Sequence, residues 1–408
     1  MPEFPYSRLR RWPDVEADNL QAHDATDLLL VERALETIAA RELDGSDVAV
    51  IGDEYGAITL ALTDAGVGGI RVHQDLATGR RALARNAQEL GLDGFGAHEL
   101  DADLLDGARL VLLQLPKALA ELEQIADAVA RWAAPDVVLI AGGRVKHMTL
   151  TQNEVLGRSF ALVQAERAAR KSRLLVAKEP REVPATPPFP VTAAHDGFRL
   201  VAFGGAFAGA RIDIGTRVLL DVLGSGRSQL LRTGADYADS GSIRPETARS
   251  SGVVNDRDAV PTVVDLGCGT GALAIAYALA HPDVRVIATD RSAAAVASAR
   301  ASVAANGLAD RITVMHDDAA SDLPDGGADV VLLNPPFHLG NSIHVGAATR
   351  LFEAAARLLR PGGELLTVYN SSLSYRPELT RLIGPTEQLQ RTAKFTVTRS
   401  IRRGIRRG

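Results

Sequence analysis

The chain has 408 residues, more than one ordinary hydrophobic core accommodates, so two domains of roughly 150 to 200 residues each are expected. Its 46% hydrophobic and 23% charged residues are ordinary for a soluble folded protein, and no apolar stretch reaches the ~18 uncharged residues that a membrane helix needs. The net charge of −5 argues against indiscriminate coating of nucleic acid, and the single cysteine, Cys268, excludes an intramolecular disulfide framework.

The N-terminal half alternates β-rich runs with helical patterns, which is typical of βαβ units and a mostly parallel sheet. Its first residues, MPEFPYSRLRRW, have no apolar segment behind the arginines, so we expect no secretory signal and a cytoplasmic location. The predicted strands are DVAVIG (47–52), GIRVHQD (69–75), ARLVLLQLP (108–116) and DVVLIAGG (136–143), with a helix at ALARNAQELG (82–91).

Two stretches without helical or strand periodicity divide the rest of the chain. The segment 178–190, KEPREVPATPPFP, carries five prolines in its last eleven residues and has no helical or strand periodicity. We therefore predict domains at 1–180 and 191–408, joined by a proline-rich linker at 181–190. A stretch rich in Ser, Gly, Arg and Asp at 224–261 is predicted to be a mobile surface insertion in the second domain.

The C-terminal half repeats the alternating pattern. Its predicted strands are TVVDLG (262–267), VRVIATD (284–290), ITVMHDD (312–318), ADVVLLN (328–334) and GELLTVYN (363–370), with helices at ALAIAYALA (272–280) and AAAVASARASVAANG (293–307). A glycine and an aspartate stand 19 positions apart in each half, as Gly56 and Asp75 and as Gly271 and Asp290. We infer an α/β fold with a duplicated, doubly wound, Rossmann-like domain.

A glycine-rich loop, DLGCGTG (265–271), lies between the first strand and helix of the second half. Its glycines, Gly267, Gly269 and Gly271, let the backbone turn tightly and approach a ligand. Read as GxGxxA, the loop also suits a nicotinamide dinucleotide. Asp265 is placed to hold a cationic amino group, and Asp290 is placed to bind the ribose hydroxyls. Asp318 is placed to accept from an adenine amine, and the alternative for Asp318 is a cap at the end of its strand. The set predicts S-adenosylmethionine as cofactor, and no metal is expected.

The fourth predicted strand of this half ends in Asn334, Pro335, Pro336 and Phe337. Prolines have no amide hydrogen and a fixed φ, so the carbonyls of this turn stay out of any ladder and are left to accept hydrogen bonds. We predict that the Asn334 side chain and the Pro335 carbonyl accept the two hydrogens of a planar amine while Phe337 stacks on the base. His338 is the alternative as a catalytic base, against a packing role.

With both motifs, the chain resembles the class I S-adenosylmethionine-dependent rRNA guanine-N2 methyltransferases, and the methyltransferase G branch, which acts on 23S rRNA, most. Segments that carry the resemblance include LQAHDATDLLL (20–30), ARIDIGTRVLL (210–220), DLGCGTG, NPPFH and KFTVTRSIR (394–402). The resemblance implies two tandem methyltransferase domains and methyl transfer to a guanine N2 in 23S rRNA. It also places Phe207, Asp213 and Gly215 in a lead-in segment over the methionine end of the cofactor.

The same resemblance implies that the first domain has lost cofactor binding and supports RNA recognition. Val50 stands where the second domain has Asp265, and Glu54 where it has Gly269. The residues in place of the Asn-Pro-Pro-Phe turn are Gln114, Leu115, Pro116 and Lys117. His23 and the 224–261 insertion depart from the family pattern.

The expected partner is rRNA, free or in an assembling ribosomal subunit, and a monomer is favoured because a duplicated domain can mimic a dimer. A 16S rRNA target, a non-catalytic ribosome-assembly factor and a nicotinamide-dependent dehydrogenase are the alternatives. Three basic clusters are either RNA contacts or solvated surface: Arg8, Arg10 and Arg11; Arg167, Arg170, Lys171 and Arg173; and the tail residues Arg399, Arg402, Arg403, Arg406 and Arg407.

Overall fold

A computed structural model describes residues 4–224, 260–336 and 345–404. The predicted insertion therefore lies almost wholly outside the described residues, as do Phe337, His338, Arg406 and Arg407. The chain divides into two compact units. Unit 1 comprises Met1–Ala193, Val201–Ala210 and Arg291–Ser298, and unit 2 comprises Ala194–Leu200, Arg211–Asp290 and Ala299–Gly408.

The sheet of unit 1 has seven strands, of which five are parallel. Its elements in chain order are α1 (Ala25–Arg41), β1 (Val48–Ile51), α2 (Ala57–Asp64), β2 (Ile70–His73), α3 (Ala77–Leu90), β3 (Phe95–Ala97), α4 (Ala102–Leu105), β4 (Leu110–Gln114), α5 (Leu119–Trp132), β5 (Val138–Arg144), α6 (Leu150–Ser159), β6 (Phe160–Ala165) and β7 (Ser172–Pro180). The strand order is β3-β2-β1-β4-β5-β7-β6, with β7 antiparallel to both β5 and β6. Residues 181–190 contain no helix or strand.

Two short strands, β8 (Val191–His195) and β9 (Phe198–Ala202), form a sheet of their own. The sheet of unit 2 then repeats the plan of unit 1. Its elements are α7 (Ile214–Gly224), β10 (Thr262–Leu266), α8 (Ala272–Ala280), β11 (Arg285–Asp290), α9 (Ala293–Ala305), β12 (Ile312–His316), β13 (Ala328–Leu333), α10 (Val345–Leu358), β14 (Leu359–Asn370), α11 (Arg376–Leu382), β15 (Thr386–Arg391) and β16 (Phe395–Ile401). The order β12-β11-β10-β13-β14-β16-β15 is position for position that of unit 1.

The central strands are apolar throughout because helices cover both faces of each sheet. In β1 every residue is buried, and β4 is buried until its last residue, as expected for strands with no solvent face. The side chains of unit 1 accordingly form two apolar clusters, one containing Val48 and Val50 and the other Ala49 and Ile51. The predicted α/β fold with a duplicated domain is confirmed, and each predicted strand is present with small shifts at its ends.

Among the helices in residues 4–224, 260–336 and 345–404, none combines the length and apolar character needed to cross a bilayer.

An ion pair is buried within the sheet of unit 2. Glu364 in β14 is fully buried, and its carboxylate binds the guanidinium of Arg399 in β16. Arg399 also binds Glu387 in β15 at 3.2 Å, and the Glu387 side chain is 59% exposed. Arg399 therefore does not belong to an exposed basic tail, because neighbouring strands already use its charge. Of the predicted tail arginines, only Arg402 and Arg403 follow the end of β16 within the described residues.

We expect Arg399→Met to lower the free energy of unfolding by about 3 to 5 kcal/mol, since it leaves the Glu364 carboxylate buried without a charged partner. The matched control Glu387→Gln changes the exposed partner of the same guanidinium and should cost less than about 1 kcal/mol. Urea denaturation followed by circular dichroism measures both values. Equal losses in the two variants would contradict the assigned role of burial.

Candidate active site

The glycine-rich loop of unit 2 connects β10 to α8 and is tied to the end of β11. The backbone amides of Gly267 and Cys268 donate to the Thr289 carbonyl at 2.8 and 3.0 Å. The Gly269 amide donates to Asp290 Oδ2 at 2.9 Å. One oxygen of Asp290, predicted for the ribose, therefore also holds the loop in place.

The three loop glycines have φ values of +77°, +55° and +84°, a region that side chains with a Cβ rarely adopt. A Cβ built on Gly267 or Gly269 would meet no atom within 4 Å, so open space borders the loop there. A Cβ on Gly271 would lie 3.4 Å from the Ala299 Cβ. The first two glycines thus leave room for a ligand, and the third allows α8 and α9 to pack closely.

Asp265 is the penultimate residue of β10 and is fully buried. Its Oδ2 accepts from the amide of Ala274 in α8 at 2.9 Å. Its Oδ1 is buried and has no hydrogen-bond partner among the described residues. Burial raises the pKa of the carboxyl to about 7, and the nearby charge of Asp290 also raises it. A buried acceptor with no partner is costly, so Asp265 fits a ligand that brings a cationic donor.

Two aspartates after β12 have different surroundings. Asp317 shapes the turn, since its oxygens accept from Ser321 Oγ at 2.7 Å and from the Asp322 amide at 2.8 Å. Asp318 is 5% exposed, and its carboxylate forms an ion pair with Arg350 in α10. The strand ends at His316, so Asp318 lies in the following turn and not at the predicted strand end. The cap assignment fits Asp317, and the adenine role of Asp318 stays a prediction.

Asn334 follows β13 directly and is held by the start of α7. Its Nδ2 donates to Thr216 Oγ1 at 2.9 Å and to Asp213 Oδ2 at 3.3 Å. Its Oδ1 is buried and finds no hydrogen-bond partner in the part of the chain that the structure describes. Pro335 is buried, and Pro336 is exposed. The side chain therefore offers one oriented acceptor at the edge of the sheet.

The predicted lead-in segment contributes to this cluster through Asp213. Its Oδ2 accepts from the amides of Gly215 at 2.9 Å and Thr216 at 3.4 Å, so Asp213 caps the first turn of α7. Phe207 belongs to unit 1, and its side chain is 61% exposed. The sequence suits Thr216 to a cap as well as to the lead-in segment, and it does not single out Arg350. The signal for Thr216 was its place three residues after the capping aspartate.

Strand register brings the glycine loop and Asn334 to the same edge. In the parallel pair β10 and β13, Leu266 lies opposite Leu333. The next residues of the two strands are Gly267 and Asn334, and neighbouring strands are about 4.8 Å apart. The open glycine loop and the oriented amide acceptor are therefore adjacent, as a reaction between a loop-bound cofactor and an Asn334-bound substrate requires.

The equivalent edge of unit 1 is closed. Gly52 has a φ of +82°, but a Cβ there would lie 3.3 Å from both the Cβ and the carbonyl oxygen of Gln114. Asp53, three residues after Val50, binds the helix instead, since its Oδ2 accepts from the Thr59 amide at 2.7 Å. Unit 1 keeps the strand plan and the helix contact but has filled the space over its first glycine.

Comparisons with known proteins agree with this division. The family model of the RLMG N-terminal domain matches residues 3–181, and that of the methyltransferase small domain matches residues 254–399. A solved T. thermophilus 16S rRNA N2 methyltransferase, in complex with AdoMet and guanosine, has the same fold. Its TM-score is 0.68 at 20% identity, and the match covers 93% of this chain and 92% of that one.

Two curated relatives match nearly the whole chain. Ribosomal RNA large subunit methyltransferase G of Streptomyces coelicolor is 32% identical, over 97% of each chain. The protein of the same name from Pseudomonas putida is 33% identical, over 97% of this chain and 98% of its own length. At this identity and coverage, the chain belongs to the family of ribosomal RNA large subunit methyltransferase G proteins.

Proposed function

We propose that this protein transfers a methyl group from S-adenosylmethionine to the exocyclic N2 amine of a guanine in 23S rRNA. The family supports methyl transfer to large-subunit rRNA. The observation that carries the chemistry is the buried, unpartnered Oδ1 of Asn334 beside the open glycine loop.

The exocyclic amine of guanine is a poor nucleophile because its lone pair is delocalised into the ring. Asn334 Oδ1 and the Pro335 carbonyl accept its two hydrogens, which turns the lone pair towards the glycine loop. Phe337, which lies outside the described residues, is the residue that the sequence predicts to stack on the base, and such stacking is worth about 1 to 3 kcal/mol. The guanine has to leave its stack to reach this pocket or be presented unpaired.

The described residues fit S-adenosylmethionine. The cofactor supplies an electrophilic methyl group on a positively charged sulfur. Asp265 Oδ1 accepts from its amino group, Asp290 binds the ribose, and the space beside Gly267 and Gly269 admits its backbone. No side chain has to act as a strong base, since the amine proton becomes acidic only after the nitrogen has accepted the methyl group. Rate acceleration then comes mainly from positioning.

Mapping the rRNA of a strain that lacks this gene tests the proposal. Mass spectrometry should find one guanine N2 methyl group missing from 23S rRNA, and the purified protein should restore it with labelled S-adenosylmethionine. A missing methyl group in 16S rRNA would favour the second candidate, which the T. thermophilus protein of the same fold supports. Full methylation of both rRNAs in the deletion strain would favour a non-catalytic role.

Asn334→Ala should lower kcat by at least about 100-fold, as loss of one pre-oriented polar group in an active site does. Because the change does not touch the glycine loop, the affinity for S-adenosylhomocysteine should stay within about threefold, as measured by calorimetry. The matched control is Asn370→Ala at the end of neighbouring β14, whose Oδ1 already accepts from the Ser372 amide at 3.0 Å. Near-normal turnover by Asn334→Ala would contradict the assigned role.

Cofactor affinity should depend on pH through Asp265. With a pKa of about 7, this carboxyl is mostly protonated at pH 6 and mostly ionised at pH 8. Since the ionised form attracts the ligand amino group, S-adenosylhomocysteine should bind roughly tenfold more tightly at pH 8 than at pH 6. Asp265→Asn should remove this dependence and bind weakly at both values. A flat profile for the unaltered protein, or binding of NAD instead, would count against the cofactor site.

A further inference from the structure

The orientation of the Asn334 side chain is set by two acceptors from the start of α7. Its Nδ2 donates to Thr216 Oγ1 at 2.9 Å and to Asp213 Oδ2 at 3.3 Å, and all three residues belong to unit 2. A 180° turn of the amide would place its oxygen against the Asp213 carboxylate, which can only accept, whereas the Thr216 hydroxyl could still bond to the turned amide as a donor. The Asp213 carboxylate therefore decides that the oxygen, and not the NH2 group, is the atom left to a ligand, and the Thr216 hydroxyl helps to fix the position of the amide.

Leaving that oxygen without a partner is costly. Asn334 Oδ1 is buried, and loss of water without a replacement hydrogen bond costs about 1 to 3 kcal/mol in measured proteins. Thr216, itself only 9% exposed, accepts the shorter of the two hydrogen bonds and so helps to hold the amide in this position.

Unit 1 contains the same contact at the same place in its fold. Gln114 ends β4 as Asn334 follows β13, and its Nε2 donates to Asp27 Oδ1. Asp27 stands three residues after Asp24, which caps α1, just as Thr216 stands three residues after Asp213. Each unit therefore has a side-chain hydrogen bond, here called the tether, from the end of its fourth parallel strand in chain order to the helix that precedes its first. The tether is part of the duplicated scaffold.

The two tethers differ in the space beside the neighbouring glycine and in the chemical type of the acceptor. In unit 1 the Gln114 side chain lies over Gly52, and the acceptor is a carboxyl group. In unit 2 a Cβ on Gly267 or Gly269 would meet no atom within 4 Å, and a hydroxyl group accepts the hydrogen bond of Asn334. A hydroxyl adds no second charge beside Asp213, so the amide is held without a further negative field on the substrate side.

We propose that Thr216 is a positioning residue for methyl transfer, whose hydroxyl, together with Asp213, fixes the Asn334 amide so that Oδ1 faces the substrate amine. The inference rests on the proposed function. Thr216 touches neither the reacting atoms nor the glycine loop, and it acts only through Asn334.

Thr216→Val keeps the shape of the side chain and removes the acceptor. It should lower kcat by roughly 10- to 100-fold, the range expected when a reacting group is displaced by about 1 Å. The KM for S-adenosylmethionine and the affinity for S-adenosylhomocysteine should stay within about twofold. Thr216→Ser restores the hydroxyl and should recover activity to within about threefold of the unaltered protein.

The matched control is Gln114→Leu, which breaks the equivalent tether in unit 1. If tethers only stabilise the fold, Thr216→Val and Gln114→Leu should reduce activity equally, in proportion to any change in melting temperature. If Thr216 positions Asn334, only Thr216→Val lowers kcat. Should Thr216→Val fail to fold, Thr216→Ala replaces it, and its kcat is compared with that of Thr216→Ser.

The outcomes separate this inference from the function on which it rests. Normal kcat in folded Thr216→Val, with the unaltered protein active on rRNA, would overturn the positioning role alone. An unaltered protein that binds S-adenosylhomocysteine but methylates no rRNA would overturn the proposed function, and the positioning role with it.

Discussion

The parallel pairing of β10 with β13 is the constraint on which the site depends. Its register sets Leu266 opposite Leu333, so both strands end at one level, and the chain leaves them as Gly267 and Asn334. A shift by one residue would turn each side chain to the opposite face of the sheet. The fully buried, apolar centre of the sheet prevents such a shift, because it would place Asp265 and its neighbours in the wrong helix layer.

The duplication separates what the scaffold needs from what the chemistry needs. Both units keep the strand order, the left-handed glycine at the start of the first crossover helix, and the tether from the fourth strand. Unit 1 has lost the open space over its loop and the acid at the end of its first strand. Its replacement, Asp53, still satisfies the amide of Thr59. The hydrogen bond from an aspartate to the first helix is therefore present in both units, whereas the open space beside the first loop glycine is present only in unit 2.

Much of the fold could be predicted because parallel strands covered on both faces give continuous apolar runs. The strands that prediction missed are edge strands or antiparallel ones, namely β3, β6, β7, β8, β9, β15 and β16. Exposed positions interrupt the apolar pattern in β3, β6, β8 and β15. The glycine loop, Asp265 and Asn334 were identified by their positions relative to strand ends. The contact of Asp213 and Thr216 with Asn334 was not, since residues more than a hundred positions apart meet only after the sheet has formed.

Arg350 competes with any ligand for the carboxylate of Asp318. Its guanidinium already neutralises Asp318, so any ligand group that uses this carboxylate as an acceptor has to share it or displace the arginine. The Arg350 side chain is 38% exposed, and partly exposed ion pairs weaken as mobile ions screen them. Added salt is therefore expected to loosen this pair and to leave the Asp318 carboxylate free to accept from another donor.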